Sequence, residues 1–248
     1  MKQTKSIMGM PIAIEILDED VTDETFEKVF DYFHYVDNKF STYKKDSEIT
    51  LINEGKILPK NFSQDMKTVL KLSARTKKET NGYFDIHTNG KINPSGLVKG
   101  WAILNGAKIL ENLGFQNFYV DAGGDIQASG KNKNGKTWRV GIKNPFKQTE
   151  IVKTIYADNI GVATSGTYIR GQHIYNPHQP NKKITDIISL TVIGPNVYEA
   201  DRFATPAFAM GKKGIDFVEN LPGLEGYMVD KDGIATMTSG FEKYTTEL

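Results

Sequence analysis

Asp201 and Thr205 stand four residues apart in the run Glu199-Ala200-Asp201-Arg202-Phe203-Ala204-Thr205. On a helix that spacing places a carboxylate and a hydroxyl on one face. The pair offers two hard oxygens of the kind Mg2+ takes while also binding a substrate phosphate; the plainer outcome is a side-chain hydrogen bond. Lys99 is a second candidate. It closes Asn93-Pro94-Ser95-Gly96-Leu97-Val98-Lys99, a turn that opens a helix, and so is expected in the first helical turn. Unpaired N–H groups and the positive dipole end attract phosphate there. Lysine ordinarily favours the other helix end, so its place here points to an anionic ligand or, equally, to a solvated surface side chain.

Hydroxyls and a histidine supply the next group. Val162-Ala163-Thr164-Ser165-Gly166-Thr167 precedes His173-Ile174-Tyr175-Asn176-Pro177. Thr164 and Ser165, at the end of a strand, can hydrogen-bond the polar edge of a ligand, and His173 has the chemistry of a general base. The chain has four histidines, so one near two hydroxyls carries little by itself. Phe40-Ser41-Thr42-Tyr43 frames two hydroxyls with aromatic rings, which suits the wall of a planar-ligand site or simple packing at a helix end. Gly123-Gly124, inside Asp121-Ala122-Gly123-Gly124-Asp125-Ile126, marks either a bulge or a close approach of backbone to a ligand.

One motif is rejected. Gly130-Lys131-Asn132-Lys133-Asn134-Gly135-Lys136-Thr137 satisfies the P-loop pattern. That pattern needs a helix after the loop to face the phosphates. Here Trp138-Arg139-Val140-Gly141-Ile142 alternates as a strand does, so the segment reads as an exposed hairpin turn.

The elements that must position these residues follow from periodicity. Ile12, Ile14 and Ile16 alternate as a half-buried strand. Phe26, Val29, Phe30, Phe33, Val36 and Phe40 mark one face of a helix capped by Thr22 or Asp23. A second helix is expected over 63–80, a third over 96–113 with Gly114 beyond its end, and a fourth over 198–210 that Pro206 kinks or interrupts. Strands are expected over 118–128 with a break at Gly123-Gly124, over 137–142 as its returning partner, and over 154–163 and 187–193. A closing hairpin turns at Asp232-Gly233. Strands and helices mix without strict alternation. The predicted class is therefore α+β, one compact domain over residues 1–248, with mixed sheets packed on helices and a ligand cleft between two lobes.

Composition excludes several functions. With 248 residues, 39% hydrophobic and 25% charged, the chain can bury a core. A formal net charge of +1 gives no field for nucleic acid. No cysteine is present, which removes disulfides, thiolate nucleophiles and cysteine zinc sites. No stretch has membrane-spanning length.

The order of these segments is more specific than any of them alone. Met8-Gly9-Met10, Phe40-Ser41-Thr42-Tyr43, Gly82-Tyr83-Phe84-Asp85, Pro94-Ser95-Gly96-Leu97-Val98-Lys99-Gly100, Gly123-Gly124-Asp125, Ala163-Thr164-Ser165-Gly166, His173-Ile174-Tyr175-Asn176-Pro177 and Ala200-Asp201 through Ala204-Thr205 succeed one another along the chain. That succession resembles the ApbE-type FAD:protein FMN transferase family over nearly the whole chain.

The resemblance implies a transferase that binds FAD beside Mg2+, breaks the pyrophosphate, releases AMP and joins FMN by a phosphoester to a Thr or Ser of a flavoprotein. By the same resemblance, Met8 and Tyr43 border the flavin, and Tyr83, Phe84, Asp85, Asn93 and Lys99 lie along the dinucleotide, with Thr164 and Ser165 beside it. The metal ligands map to Asp201, Thr205 and the Gly96 carbonyl, and the base to His173. The acceptor is expected to carry an Asp-Gly-x-Ser/Thr-Gly/Ala-Ala-Thr type segment. Two departures stand out: Asn93-Pro94-Ser95 replaces the common Asp-Leu-Gly, and Asn176-Pro177-His178 replaces Asp-Pro followed by a basic residue. The absence of a lipoprotein-type leader from the chain as given predicts a cytoplasmic enzyme. A pyrophosphatase yielding free FMN and AMP, and an FAD carrier without turnover, are the alternatives.

Overall fold

Ile12, Ile14 and Ile16 are fully buried along one strand, as their alternation predicts. The structure, a computed structural model, describes residues 1–167, 171 and 174–246. The chain opens with β1 (Lys2–Ile7) and β2 (Met10–Ile16), then α1 (Asp23–Phe40), α2 (Glu48–Asn53) and α3 (Gln64–Glu79). A small hairpin, β3 (His87–Thr88) and β4 (Lys91–Ile92), leads into α4 (Ser95–Asn112). Next come β5 (Phe118–Ala122), β6 (Asp125–Ser129), β7 (Trp138–Lys143), β8 (Ile151–Ala157), β9 (Gly161–Gly166) and β10 (Ile187–Gly194). The end of the chain adds α5 (Val197–Ala209), α6 (Gly214–Glu219), β11 (Glu225–Asp230) and β12 (Ala235–Met237).

Among the described residues, eight strands form one antiparallel sheet in the order β1-β2-β5-β6-β9-β10-β11-β12. Strands β7 and β8 pair only with each other, as do β3 and β4. This is an α+β arrangement, as expected.

Four readings from the sequence are corrected. Gly123 and Gly124, both at positive φ (63° and 98°), do not bulge one strand; they close a hairpin between β5 and β6. The partner of β7 is β8, not the strand before it, so the 130–137 loop links two sheets. The predicted strand over 154–163 is two strands in different sheets, broken where Asn159 takes φ 53°. Pro206 lies in the last turn of α5, which runs unbroken from Val197 to Ala209, so it does not divide the helix.

Helix α1 buries the six predicted side chains against α4, where Gly106 leaves room for the Phe33 ring. Thr22 caps it by a reciprocal exchange with Thr25. These residues, together with β2, β5 and most of the buried face of α4, make one hydrophobic cluster. Most of α5 belongs to a second cluster with α6, β10 and β11. A third lies beneath the β7–β8 hairpin, around Trp138, Tyr227 and Phe241. Helices α4 and α5 therefore meet between the first two clusters, and their contact line positions the site.

Candidate active site at the contact of two helices

Gly96 and Gly100 lie four apart on α4, and Asp201 and Thr205 lie four apart on α5. The two pairs face each other in antiparallel order. A methyl group on Gly100 would fall 2.6 Å from the Asp201 Cβ and 2.9 Å from the Val197 carbonyl oxygen, and one on Gly96 would fall 3.5 Å from the Thr205 Cγ2. Only glycine permits this separation at Gly100. The Gly100 N–H donates to Asp201 Oδ2 at 2.8 Å. In a regular α-helix that N–H belongs to the Gly96 carbonyl, so the carboxylate competes with the Gly96 oxygen for it.

Helix α5 is held in this orientation at its N-terminus and near its middle. Asn196 caps it, accepting from the Glu199 N–H at 2.9 Å. The buried Arg202 guanidinium reaches Glu199 at 2.6 Å and Glu79 at the end of α3, and lies 3.9 Å over the Phe203 ring.

Asp201 is 3% exposed and Asp125, at the start of β6, is 1% exposed. Between them sits the Lys99 ammonium, 2.5 Å from Asp125 Oδ2 and 3.6 Å from Asp201 Oδ1. Lys99 is the fifth residue of α4, past the first turn where it was expected, and is neither a surface side chain nor aimed at the helix end. Asp125 Oδ1 accepts the Thr164 N–H at 3.0 Å. Burial pushes the Asp201 carboxyl up to about 7; Lys99 opposes that shift and Asp125 adds to it. Burial likewise raises Asp121, the Gly124 amide opposing and Asp125 reinforcing.

Two buried carboxyls share one lysine; ionising both puts surplus negative charge in a poorly solvated place, and a bound cation would relieve it and favour the ionised Asp201. Asp201, the Thr205 hydroxyl and the Gly96 carbonyl supply hard oxygens. Thr205 Oγ1 is only loosely engaged, 3.4 Å from Ser165 Oγ. Among the described residues no three His, Cys, Asp or Glu side chains converge as a metal cluster. One carboxylate with neutral oxygens and a ligand phosphate matches the habits of Mg2+ rather than those of zinc.

The other predicted residues divide. Ser165, on β9, faces Thr205. The Thr164 hydroxyl goes to Thr191 at 2.9 Å, and only its backbone N–H reaches the site, through Asp125. Phe84 is buried and presses on Gly96, its ring 3.2 Å from where a Cβ would stand. The Asp85 carboxylate is taken by Lys77 at 2.6 Å and the His87 N–H at 3.0 Å, away from Asp201's partners. Tyr83 stands edge-on to His178, with ring centres 4.5 Å apart. Asn93 accepts the Ser95 N–H at 3.1 Å, closing the turn before α4. Met8, at φ 56°, makes the β1–β2 turn with Gly9, while Met10 reaches Gly123. Tyr43 is 95% exposed. His173 lies outside the described residues.

Two residues of the site had no assigned role in the sequence, Asp125 and Gly100. The signal for Gly100 was available: a Gly-x-x-x-Gly pair in one helix mirrors Asp-x-x-x-Thr in another.

The ApbE family model matches residues 8–93 and 87–228. A Haemophilus influenzae FAD:protein FMN transferase is 26% identical, with 98% of this chain and 93% of the relative covered. The Escherichia coli K12 protein of the same name is 25% identical, with 85% and 78% covered. Among solved structures, the flavin transferase ApbE from Vibrio cholerae superposes with a TM-score of 0.87 at 23% identity over 98% of each chain. The ApbE protein from Thermotoga maritima gives 0.87 at 21% identity, covering 100% of this chain and 99% of its own.

Proposed function

We propose a function from one premise: the chain belongs to the ApbE family. The protein is an FAD:protein FMN transferase that cuts the FAD pyrophosphate, releases AMP and joins FMN to a Thr or Ser of an acceptor flavoprotein, residues 1–248 acting as one domain. The observation that carries this reading is the α4–α5 contact. A buried Asp201 and the Thr205 hydroxyl face Gly100 and Gly96 of α4, with a second buried carboxyl, Asp125, beside them.

Asp201, Thr205 and the Gly96 carbonyl would hold Mg2+, which supplies charge neutralisation of the pyrophosphate oxygens when bound. Phosphoryl transfer asks mainly for positioning and fixed charge, because the phosphoryl oxygens carry the developing negative charge. Lys99, held at the same place, adds positive potential toward the dinucleotide. The acceptor hydroxyl oxygen forms the new bond to the FMN-side phosphorus, the P–O bond to AMP breaks, and AMP leaves with the bonding pair. His173, through the family resemblance, takes the acceptor's proton. The exposed Tyr43 ring and the Met8 turn border the flavin. Tyr83, Phe84, Asp85 and Asn93 shape the dinucleotide channel, Asp85 and Asn93 through the loops they fix. The acceptor is a flavoprotein with an Asp-Gly-x-Ser/Thr-Gly/Ala-Ala-Thr type segment. No helix among the described residues is long and apolar enough to cross a membrane.

Incubation with FAD, Mg2+ and an acceptor, followed by chromatography for AMP, tests the reading. AMP release that requires both acceptor and Mg2+ is expected. AMP and free FMN without acceptor would indicate a pyrophosphatase, and intact FAD throughout would indicate a carrier.

A further inference from the structure

We propose that Asp125 is a positioning residue for Lys99, and that its task is to hold the ammonium off Asp201 so that Asp201 can ligate a divalent cation. The inference rests on the reading of Asp201 as a metal ligand.

The geometry is asymmetric. Lys99 Nζ is 2.5 Å from Asp125 and 3.6 Å from Asp201, so Asp125 is the nearer of the two carboxylates. Asp125 is itself fixed. It begins β6 directly after the Gly123-Gly124 turn, and its second oxygen accepts the Thr164 N–H of β9 at 3.0 Å, an anchor on the central sheet rather than on either helix. Asp201, by contrast, gives Oδ2 to Gly100 and leaves Oδ1 toward Lys99.

Charge arithmetic supplies the rest. A partly buried ammonium next to buried carboxylates is best kept with a counter-charge, and two like charges in poorly solvated surroundings repel strongly. If Asp201 were the only carboxylate in reach, Lys99 would pair with it and compete with any cation for Oδ1. With Asp125 present, the lysine keeps its partner whether or not Asp201 has given its oxygens to a metal. Asp125 thereby acts on the metal through Lys99 and not as a ligand.

Direct Mn2+ binding to the purified full chain, followed by electron paramagnetic resonance, tests this apart from turnover. Four proteins are compared: wild type, Asp125→Asn, Lys99→Met and the double variant. Asp125→Asn is expected to weaken Mn2+ binding about tenfold, the scale of coupling between charged groups in contact. In the Lys99→Met background the same substitution is expected to cost less than about threefold, because the competing ammonium is gone. The half-saturating Mg2+ concentration for FMN transfer should rise in Asp125→Asn more than kcat falls. Equal weakening in both backgrounds, or none in either, would overturn the proposal. Should Asp125→Asn fail to fold, Asp125→Ser is read in the same way. Wild-type protein whose Mn2+ binding is absent, or indifferent to Asp201→Ala, would sink the metal reading together with this one.

Discussion

The Gly100 N–H and the Asp201 carboxylate are joined by a 2.8 Å hydrogen bond that crosses from one helix to another. The same approach leaves no room for a Cβ at Gly100. Helix packing and the placing of Asp201 therefore depend on one contact: what brings α5 close also aims the Asp201 carboxylate at α4.

Gly100→Ala should show this coupling. The added methyl must move α5 or α4, and overpacking of this kind costs about 1–3 kcal/mol. Urea unfolding is expected to show that loss. Mg2+-dependent transfer should fall further than the stability change explains, because Asp201 is displaced. Full activity in a destabilised variant would separate packing from catalysis.

On the proposed metal role, Asp201→Ala should abolish Mg2+-dependent FMN transfer while leaving a folded protein, since burying this carboxyl is a burden on the fold. Its carboxyl is raised to about 7 chiefly by burial. Thr205→Val keeps the shape and removes one oxygen; about a tenfold rise in half-saturating Mg2+ is expected, the size of one lost polar interaction. A titration of rate against Mg2+ reads both. Unaltered Mg2+ dependence in Thr205→Val would remove that hydroxyl from the ligand set.

Acid should weaken the fold at a second, purely structural cluster. Glu48 accepts the Ser63 N–H and Oγ, each at 2.7 Å, and Lys39 at 3.0 Å, tying the end of α1 to α2 and the cap of α3. Burial alone would raise its pKa; the Ser63 bonds and Lys39 outweigh that and hold it below the ordinary 4.5. A folded-state value below the unfolded one means the unfolded chain binds the proton first. The stabilisation is complete above pH 4.5 and is lost as pH falls through the lower folded-state value. Glu48→Gln should cost about 1.5–3 kcal/mol at neutral pH and flatten the acid limb of a stability-against-pH curve. An unchanged acid limb would rule this cluster out as its source.

His173→Ala should separate binding from chemistry. A general base is worth about 10²–10⁴-fold, so transfer should slow by that order while FAD affinity, read by fluorescence quenching, changes little. Equal loss of both would make His173 a binding residue.

The helices were legible because burial on one face leaves a period. Phe26 through Phe40 read correctly, and Ser63 and Thr22 cap as their types suggest. Strand partners were harder. Alternation says that residues 118–128 and 154–163 are extended, but not that Gly123-Gly124 and Asn159 reverse the chain or change its sheet. Helix α2 was hidden because its cap, Ser47, sits at the end of a charged loop and only Ile49 of it is buried. Asp201 and Thr205 were visible as a spaced pair within one helix. The Lys99–Asp125–Asp201 arrangement was not, because it joins residues far apart in sequence and local periodicity carries no record of such contacts.

The most direct measurement is the intact mass of a purified acceptor flavoprotein after incubation with this protein, FAD and Mg2+. A gain of one FMN with wild type, and none with Asp201→Ala or in EDTA, is predicted. An acceptor of unchanged mass in the presence of active wild-type protein, or one that gains FMN equally with Asp201→Ala, would contradict a transferase built on the α4–α5 contact.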